Sequence, residues 1–401
     1  MINLELPKKL ETLQKMTHQV ASNVFRPISR KYDRIEHSET SPEELVPVAQ
    51  MIQGARASGG GGGDQGQAEG SVNGANLAGV VGMEEMCWGD VGLMLSIPGQ
   101  GLGNAAIQAV GTPEQKERFG KLYCAMAITE PGAGSDSAAV KTTAERDGDD
   151  WVLNGEKIYC TAGQRCDAVV IWATLDRSLG KAAIKSFIVP RDNPGMKLAR
   201  VEDKMGLRIS DTAALSLENC RIPAENLLGS PEIAETEEAR KKAFGGVMQT
   251  FDNTRPQVAA MALGLARAAL EMTREILEKE GVSADFSKSL YNSSALEAEL
   301  YRMEADLDAA RLMTWQACWM ADNKQPNSKQ ASMCKAKAGR VGNAITLKCV
   351  ELCGELGYSE EHLLEKFARD SKIIDIFEGT QQIQQLIVAR QHLGLSSREL
   401  K

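Results

Sequence analysis

Asp150-Trp-Val-Leu-Asn-Gly-Glu-Lys-Ile-Tyr159 decides the architecture of this chain. Two short β-prone runs flank Asn154-Gly155, a dipeptide that suits a two-residue hairpin turn, so the segment predicts a β-hairpin. Ala168-Val-Val-Ile-Trp-Ala173 and Ile184–Val189 read as buried strands, the second ended by Pro190, and Thr212–Leu217 as one more. On either side the period changes. Upstream, Leu6, Leu10, Leu13, Val20 and Val24 recur at helical spacing; downstream, Leu296, Leu300, Met303, Leu307, Ala310, Thr314 and Ala317 alternate at four and three. A second stripe runs through Ala331, Ala338, Val341, Ile345, Cys349 and Leu352. The expected fold is α+β and multidomain: an N-terminal helical domain (1–122), a middle β-barrel or sandwich (123–231) and a C-terminal long four-helix bundle (232–401). A Gly-rich insertion (54–75, with Gly59 through Gly63) interrupts the first domain. It lacks the Gly-Lys-Ser/Thr of a phosphate loop and reads as a linker.

Composition narrows the function. The 401 residues are 43% hydrophobic and 25% charged, as expected of a chain with a large core. A net charge of −8 argues against nucleic acid as a partner. No run approaches the ~20 apolar residues of a membrane span. Met1-Ile-Asn-Leu-Glu5 lacks a basic region followed by an apolar stretch, so a soluble cytoplasmic protein is expected. The nine scattered cysteines contain no Cys-x-x-Cys pair and predict reduced thiols. His18, His37, His362 and His392 form no metal-binding spacing, and no Gly-x-Ser-x-Gly elbow occurs.

Two segments remain as chemistry. Thr129-Glu-Pro-Gly-Ala-Gly-Ser-Asp136 makes a tight turn after a strand, whose free amides suit close approach by a flat polar cofactor. In Ile376-Phe-Glu-Gly-Thr-Gln-Gln-Ile383, Glu378 follows an apolar run at a helix start. Desolvation there raises a carboxylate's pKa and suits it to general-base work; an exposed glutamate serving only the helix dipole fits the same pattern.

Six ordered segments resemble the acyl-CoA dehydrogenase family over nearly the whole length. Besides Thr129–Asp136 they are Leu153-Asn-Gly-Glu-Lys157, Lys204-Met-Gly-Leu-Arg208, Phe251-Asp-Asn-Thr-Arg-Pro256, Ala368-Arg-Asp370, and Phe377-Glu-Gly-Thr380 with Ile383-Gln384. The resemblance implies an FAD-dependent oxidoreductase of the fatty acid β-oxidation type, usually a tetramer, with an acyl-CoA substrate and an electron-transfer flavoprotein as acceptor. It implies that Glu378 takes the α-proton while the β-hydrogen leaves as hydride to flavin N5, and that the Glu378 amide and an FAD ribityl hydroxyl bind the enolate oxygen. Ile128, Thr129, Gly134, Ser135, Tyr159 (where many relatives carry Trp), Thr161, Thr380 and Gln382 match flavin-side positions. Ser135, Asp252, Arg255 and Gly379 match substrate-side ones. Some relatives place the base near Thr254, and a threonine there favours Glu378. Leu95-Ser-Ile-Pro-Gly99 aligns with the acyl-pocket floor.

The departures are one-sided. Where relatives carry Arg-x-x-Phe-Gly, which reaches a neighbouring subunit's FAD, this chain has Glu278-Lys-Glu-Gly-Val-Ser-Ala-Asp-Phe-Ser-Lys288. The Gln-x-x-Gly-Gly element reads Glu351-Leu-Cys-Gly-Glu355, which puts negative charge where a pyrophosphate is expected. Three arrangements follow: a homotetramer with altered flavin contacts, a heterotetramer with a related subunit that supplies the missing clamp, or a non-catalytic subunit that binds acyl-CoA.

Overall fold

The computed structural model describes residues 5–36, 38–57, 74–99, 101–233, 236–285, 287–395 and 399. His37 and most of the Gly-rich insertion lie outside them. The N-terminal domain comprises α1 (Lys8–Val20), a wide π turn (Ala21–Phe25), α2 (Arg26–Arg34), α3 (Val46–Ala57), α4 (Ala75–Gly89), α5 (Val91–Leu95), α6 (Leu102–Val110) and α7 (Pro113–Phe119). The π turn falls where Pro27, lacking an N–H, prevents a regular ladder. The N-terminus of α4 is capped across the molecule. The Asp322 carboxylate accepts from the amides of Gly74, Asn76 and Leu77 at 2.8, 2.9 and 3.1 Å.

The middle domain holds β1 (Cys124–Ala127), β2 (Thr143–Asp147), β3 (Asp150–Thr161), β4 (Ala168–Thr174), β5 (Ile184–Pro190), β6 (Met196–Val201) and β7 (Thr212–Pro223). All seven join one curled sheet in the order β1-β4-β2-β3-β7-β6, with β5 also on β4. Every residue of β4 is buried, as a strand covered on both faces requires. The hairpin expectation needs a correction. Asp147 pairs with Asp150, so the turn is Gly148-Asp149, whereas Asn154 and Gly155 lie inside β3 at a slip in its pairing with β7. A Cβ on Gly155 would sit 2.5 Å from the Thr142 hydroxyl, and its φ is +150°; close approach within a bulge, not chain reversal, demands glycine there.

The C-terminal domain consists of α8 (Glu237–Lys279), α9 (Ala295–Asp322), α10 (Ser328–Tyr358), α11 (Leu364–Ile374) and α12 (Gln381–Leu393). Three long helices supply the bundle, and the short α11–α12 pair packs along α10 in the fourth place. The expected seam is real: Leu300, Met303, Leu307, Ala310, Thr314 and Ala317 are all buried.

One ion cluster joins the three domains. The buried Lys366 ammonium lies 2.8 Å from Asp90 and 2.5 Å from Asp370, and Asp370 accepts the Leu207 amide at 2.6 Å. A Cβ on Gly206 would lie 2.5 Å from the Arg369 carbonyl, so that glycine lets the middle-domain loop lie against α11. The Lys204–Arg208 and Ala368–Asp370 motifs thus form an interdomain joint.

Candidate active site

Between α11 and α12 the chain makes a tight reversal. The amides of Ile376 and Phe377 return to the Ile373 carbonyl at 2.9 and 3.0 Å. Glu378 and Gly379 then adopt φ of 55° and 87°, and Thr380 caps α12. The left-handed region costs a residue with a Cβ about 1–2 kcal/mol, so the surroundings must enforce it. Two buried side chains hold its carbonyls. Lys335 Nζ donates to Gly379 at 2.7 Å, and Gln384 Nε2 donates to Glu378 and Gly379 at 3.0 and 3.2 Å. The Glu378 amide meets no acceptor among the described residues.

The Glu378 carboxylate is packed among α8, α10 and its own turn. The Thr254 hydroxyl donates to Oε2 at 3.3 Å. Burial raises the carboxyl above its ordinary range; the Thr254 hydrogen bond and the Arg255 and Lys335 cations pull the other way without cancelling it. The pocket is therefore not the purely apolar one that the sequence suggests. Burial likewise pushes Lys335 down to about 8, against the attraction of Asp375 and Glu378. Arg255 is 5% exposed and turns into the bundle, pairing with Asp252 and reaching Ser332 Oγ at 3.4 Å. Asp252 also accepts from Ser328 at 3.1 Å.

On the middle domain the Thr129–Asp136 turn is built on a buried ion pair. Glu130 accepts from the Thr142 amide at 2.9 Å and from Lys157 Nζ at 2.7 Å, and Lys157 also donates to the Ile128 carbonyl at 3.1 Å. Burial works against the Glu130 charge, yet Lys157, Thr142 and the Lys141 amide hold it below the usual carboxylate range. The Thr129 carbonyl takes the Ile158 amide at 2.9 Å, which fixes the turn beside β3. Gly134 and Ser135 stand exposed, and Thr161 is half-buried. Tyr159 is 61% exposed at φ 58°, where β3 slips against β7.

Thr129, Ser135, Thr161 and Tyr159 lie on the middle domain and Thr380 and Gln382 at the start of α12, with no described contact joining the two groups. All are neutral donors or acceptors, the chemistry that suits the alternating N–H and C=O edge of a flavin ring better than an anion. The positions that the resemblance implies lie near a pyrophosphate are acidic. Glu351 is exposed and pairs with the neighbouring Lys348 at 2.6 Å, and Gly354 breaks the α10 geometry at φ 54°. Lys288 lies 3.4 Å from Glu297. A cleft of about 340 Å³ bounded by Val81, Glu84, Arg267, Arg311 and Trp315 lies on α4, α8 and α9, away from Glu378, and its charges satisfy one another. Among the described residues no group of side chains could hold a metal ion. All nine cysteines are free and buried.

Sequence reasoning missed Lys335, Gln384 and the Glu130–Lys157 pair. For Lys335 the signal was its place on the buried stripe of α10, four residues after Ala331 and three before Ala338, where a cation needs a reason to be.

The chain matches family models for the acyl-CoA dehydrogenase N-terminal domain over residues 7–126, middle domain over 125–220 and C-terminal domain over 244–393. It is 35% identical to the "Short-chain specific acyl-CoA dehydrogenase, mitochondrial" of Bos taurus, covering 96% of this chain and 90% of that protein. Butyryl-CoA dehydrogenase from Megasphaera elsdenii shares the fold at a TM-score of 0.82 with 29% identity, covering 98% of this chain and 100% of that one. A glutaryl-CoA dehydrogenase from Mycobacterium smegmatis, solved in complex with FADH2, gives 0.79 and 26%, covering 98% and 96%.

Proposed function

The chain belongs to the acyl-CoA dehydrogenase family, and from that premise we propose that it converts a short-chain acyl-CoA thioester to its 2-enoyl-CoA, with Glu378 as the base. A thioester α-proton is weakly acidic, so its removal needs a carboxylate held close and a donor at the enolate oxygen. The Glu378 turn offers both: a carboxylate whose proton affinity burial has raised, and an unspent amide in the same residue. The observation that carries the reading is the placement of that half-buried carboxylate, on a left-handed turn and against the Thr254 hydroxyl. When bound, FAD supplies the two-electron acceptor for the β-hydrogen. Ile128, Thr129, Gly134, Ser135, Tyr159, Thr161, Thr380 and Gln382 are the residues we assign to hold it. Ser135 and Gly379 are assigned to the substrate, and electrons pass on to an electron-transfer flavoprotein. Asp252 and Arg255, paired with one another, are assigned to the substrate side as well.

The short-chain assignment rests on the relatives' specificity and on the packing of Met94, Leu95 and Phe377 against one apolar cluster. Glu378→Gln keeps the shape and removes the base, which is worth about 10² to 10⁴ in rate. Flavin bleaching by butyryl-CoA under anaerobic conditions reads this directly. A Gln variant that bleaches at the parent rate refutes the assignment, and a preference for octanoyl- over butyryl-CoA refutes the chain length.

A further inference from the structure

The base sits on two consecutive residues in the left-handed region, and the turn is held from two different helices. Lys335 on α10 is 1% exposed and Gln384 on α12 is fully buried. Their three hydrogen bonds, at 2.7, 3.0 and 3.2 Å, all end on the carbonyls of Glu378 and Gly379. A Cβ on Gly379 would lie 2.5 Å from Gln384 Nε2, so the glycine that permits the turn also lets this contact close. A buried ammonium is costly to keep unless its hydrogen bonds are needed. Fixing the Glu378 and Gly379 carbonyls fixes the two peptide planes that follow the Glu378 Cα, and with them the ψ of Glu378 and both torsions of Gly379.

We propose that Lys335 and Gln384 are positioning residues, a two-helix clamp that locks the Glu378–Gly379 backbone so that the Glu378 carboxylate faces the thioester. The proposal rests on the reading of Glu378 as the base. Removing either donor frees the turn to relax out of the left-handed region, which swings the carboxylate away from the thioester.

The test uses Lys335→Met and Gln384→Leu, near-isosteric and without donors, in the FAD-loaded protein. Each is expected to slow single-turnover bleaching by butyryl-CoA about tenfold to a hundredfold, as displacements near 1 Å do. Affinity for crotonyl-CoA should change less than about threefold, because the clamp acts on the chemical step. The double variant should fall short of the product of the two single effects, because both act on one turn. In flavin-free protein, amide hydrogen exchange over 376–382 should quicken by about tenfold or more while the cores of α10 and α12 stay protected. Parent bleaching rates in both variants, parent exchange over 376–382, or loosening that spreads through α10 each overturn the clamp. If the parent protein bleaches with no acyl-CoA, the dehydrogenase reading fails on its own, and the exchange comparison still decides whether the turn is clamped.

Discussion

At Glu378 the quality that suits a base also strains the fold. Its carboxyl binds protons more tightly in the folded chain than in the unfolded one, because burial outweighs Thr254, Arg255 and Lys335. Its contribution to stability is therefore fully present below the unfolded value and is lost as pH rises through the raised folded one. Glu378→Gln, which cannot ionise, should melt above the parent at pH 8 and approach it as pH falls into the carboxylate range. Calorimetry of flavin-free protein at pH 8, 6 and 4.5 checks this, and a Gln variant less stable than the parent at pH 8 contradicts it. The residue was singled out by an apolar run, a glutamate and a glycine, but an exposed glutamate at a helix start fits that pattern equally, and the family resemblance chose between the two. Its cations were not legible as its partners. Arg255 and Lys335 lie 123 and 43 positions upstream of it, and no local pattern ties them to it. Arg255, matched by the resemblance to a CoA-side position, pairs with Asp252, which is matched to the same side.

Elements were read well where burial alone sets their period. The strands expected at 168–173, 184–189 and 212–217 appear, the last running on to Pro223, and the α9 seam lies where heptad spacing puts it. Asn154-Gly155 misled because a glycine required by Thr142 looks, in sequence, like one required by a turn. The true reversal carried its own signal in Asp147-Gly148. The cap of α4 had none. Asp322 ends α9, where a carboxylate opposes its own helix dipole, and spends its charge on three amides of another helix. Asp322→Ala should cost about 1–2 kcal/mol, the upper range for an N-cap. Urea unfolding should show this as a lower midpoint at unchanged slope. A cost below about 0.3 kcal/mol means that the amides find other partners.

For the whole molecule the open matter is who holds the flavin. The chain keeps Glu378, Thr129, Ser135 and Thr380 and presents Glu351 outward beside the Gly354 break. If Glu351 and Glu355 face a neighbour's pyrophosphate, each charge-assisted hydrogen bond that the phosphates forgo costs about 1.5–3 kcal/mol, or roughly ten- to a hundredfold in affinity. The chain purified alone is accordingly expected to hold FAD weakly. Co-expression with a related subunit that retains the arginine and glutamine elements should restore one flavin per chain. Fluorescence titration of stripped protein measures the first, and the absorbance ratio at 450 and 280 nm the second. Tight binding by the isolated chain would overturn the need for a second subunit.

The ammonium of Lys366 has a further consequence for how this chain can be divided. Asp90 belongs to the first domain and Asp370 to the third, and Asp370 also receives the Leu207 amide of the second. A cut at either domain border takes Asp90 from Lys366, which keeps only Asp370, and opens to water a joint whose charges and packing were completed from the other side. The three family domains are thus separable as sequence but not as matter. Evolution can exchange them only where the recipient already supplies the missing partner, and a deletion that looks modular on paper leaves a fragment that must rebuild its own interior.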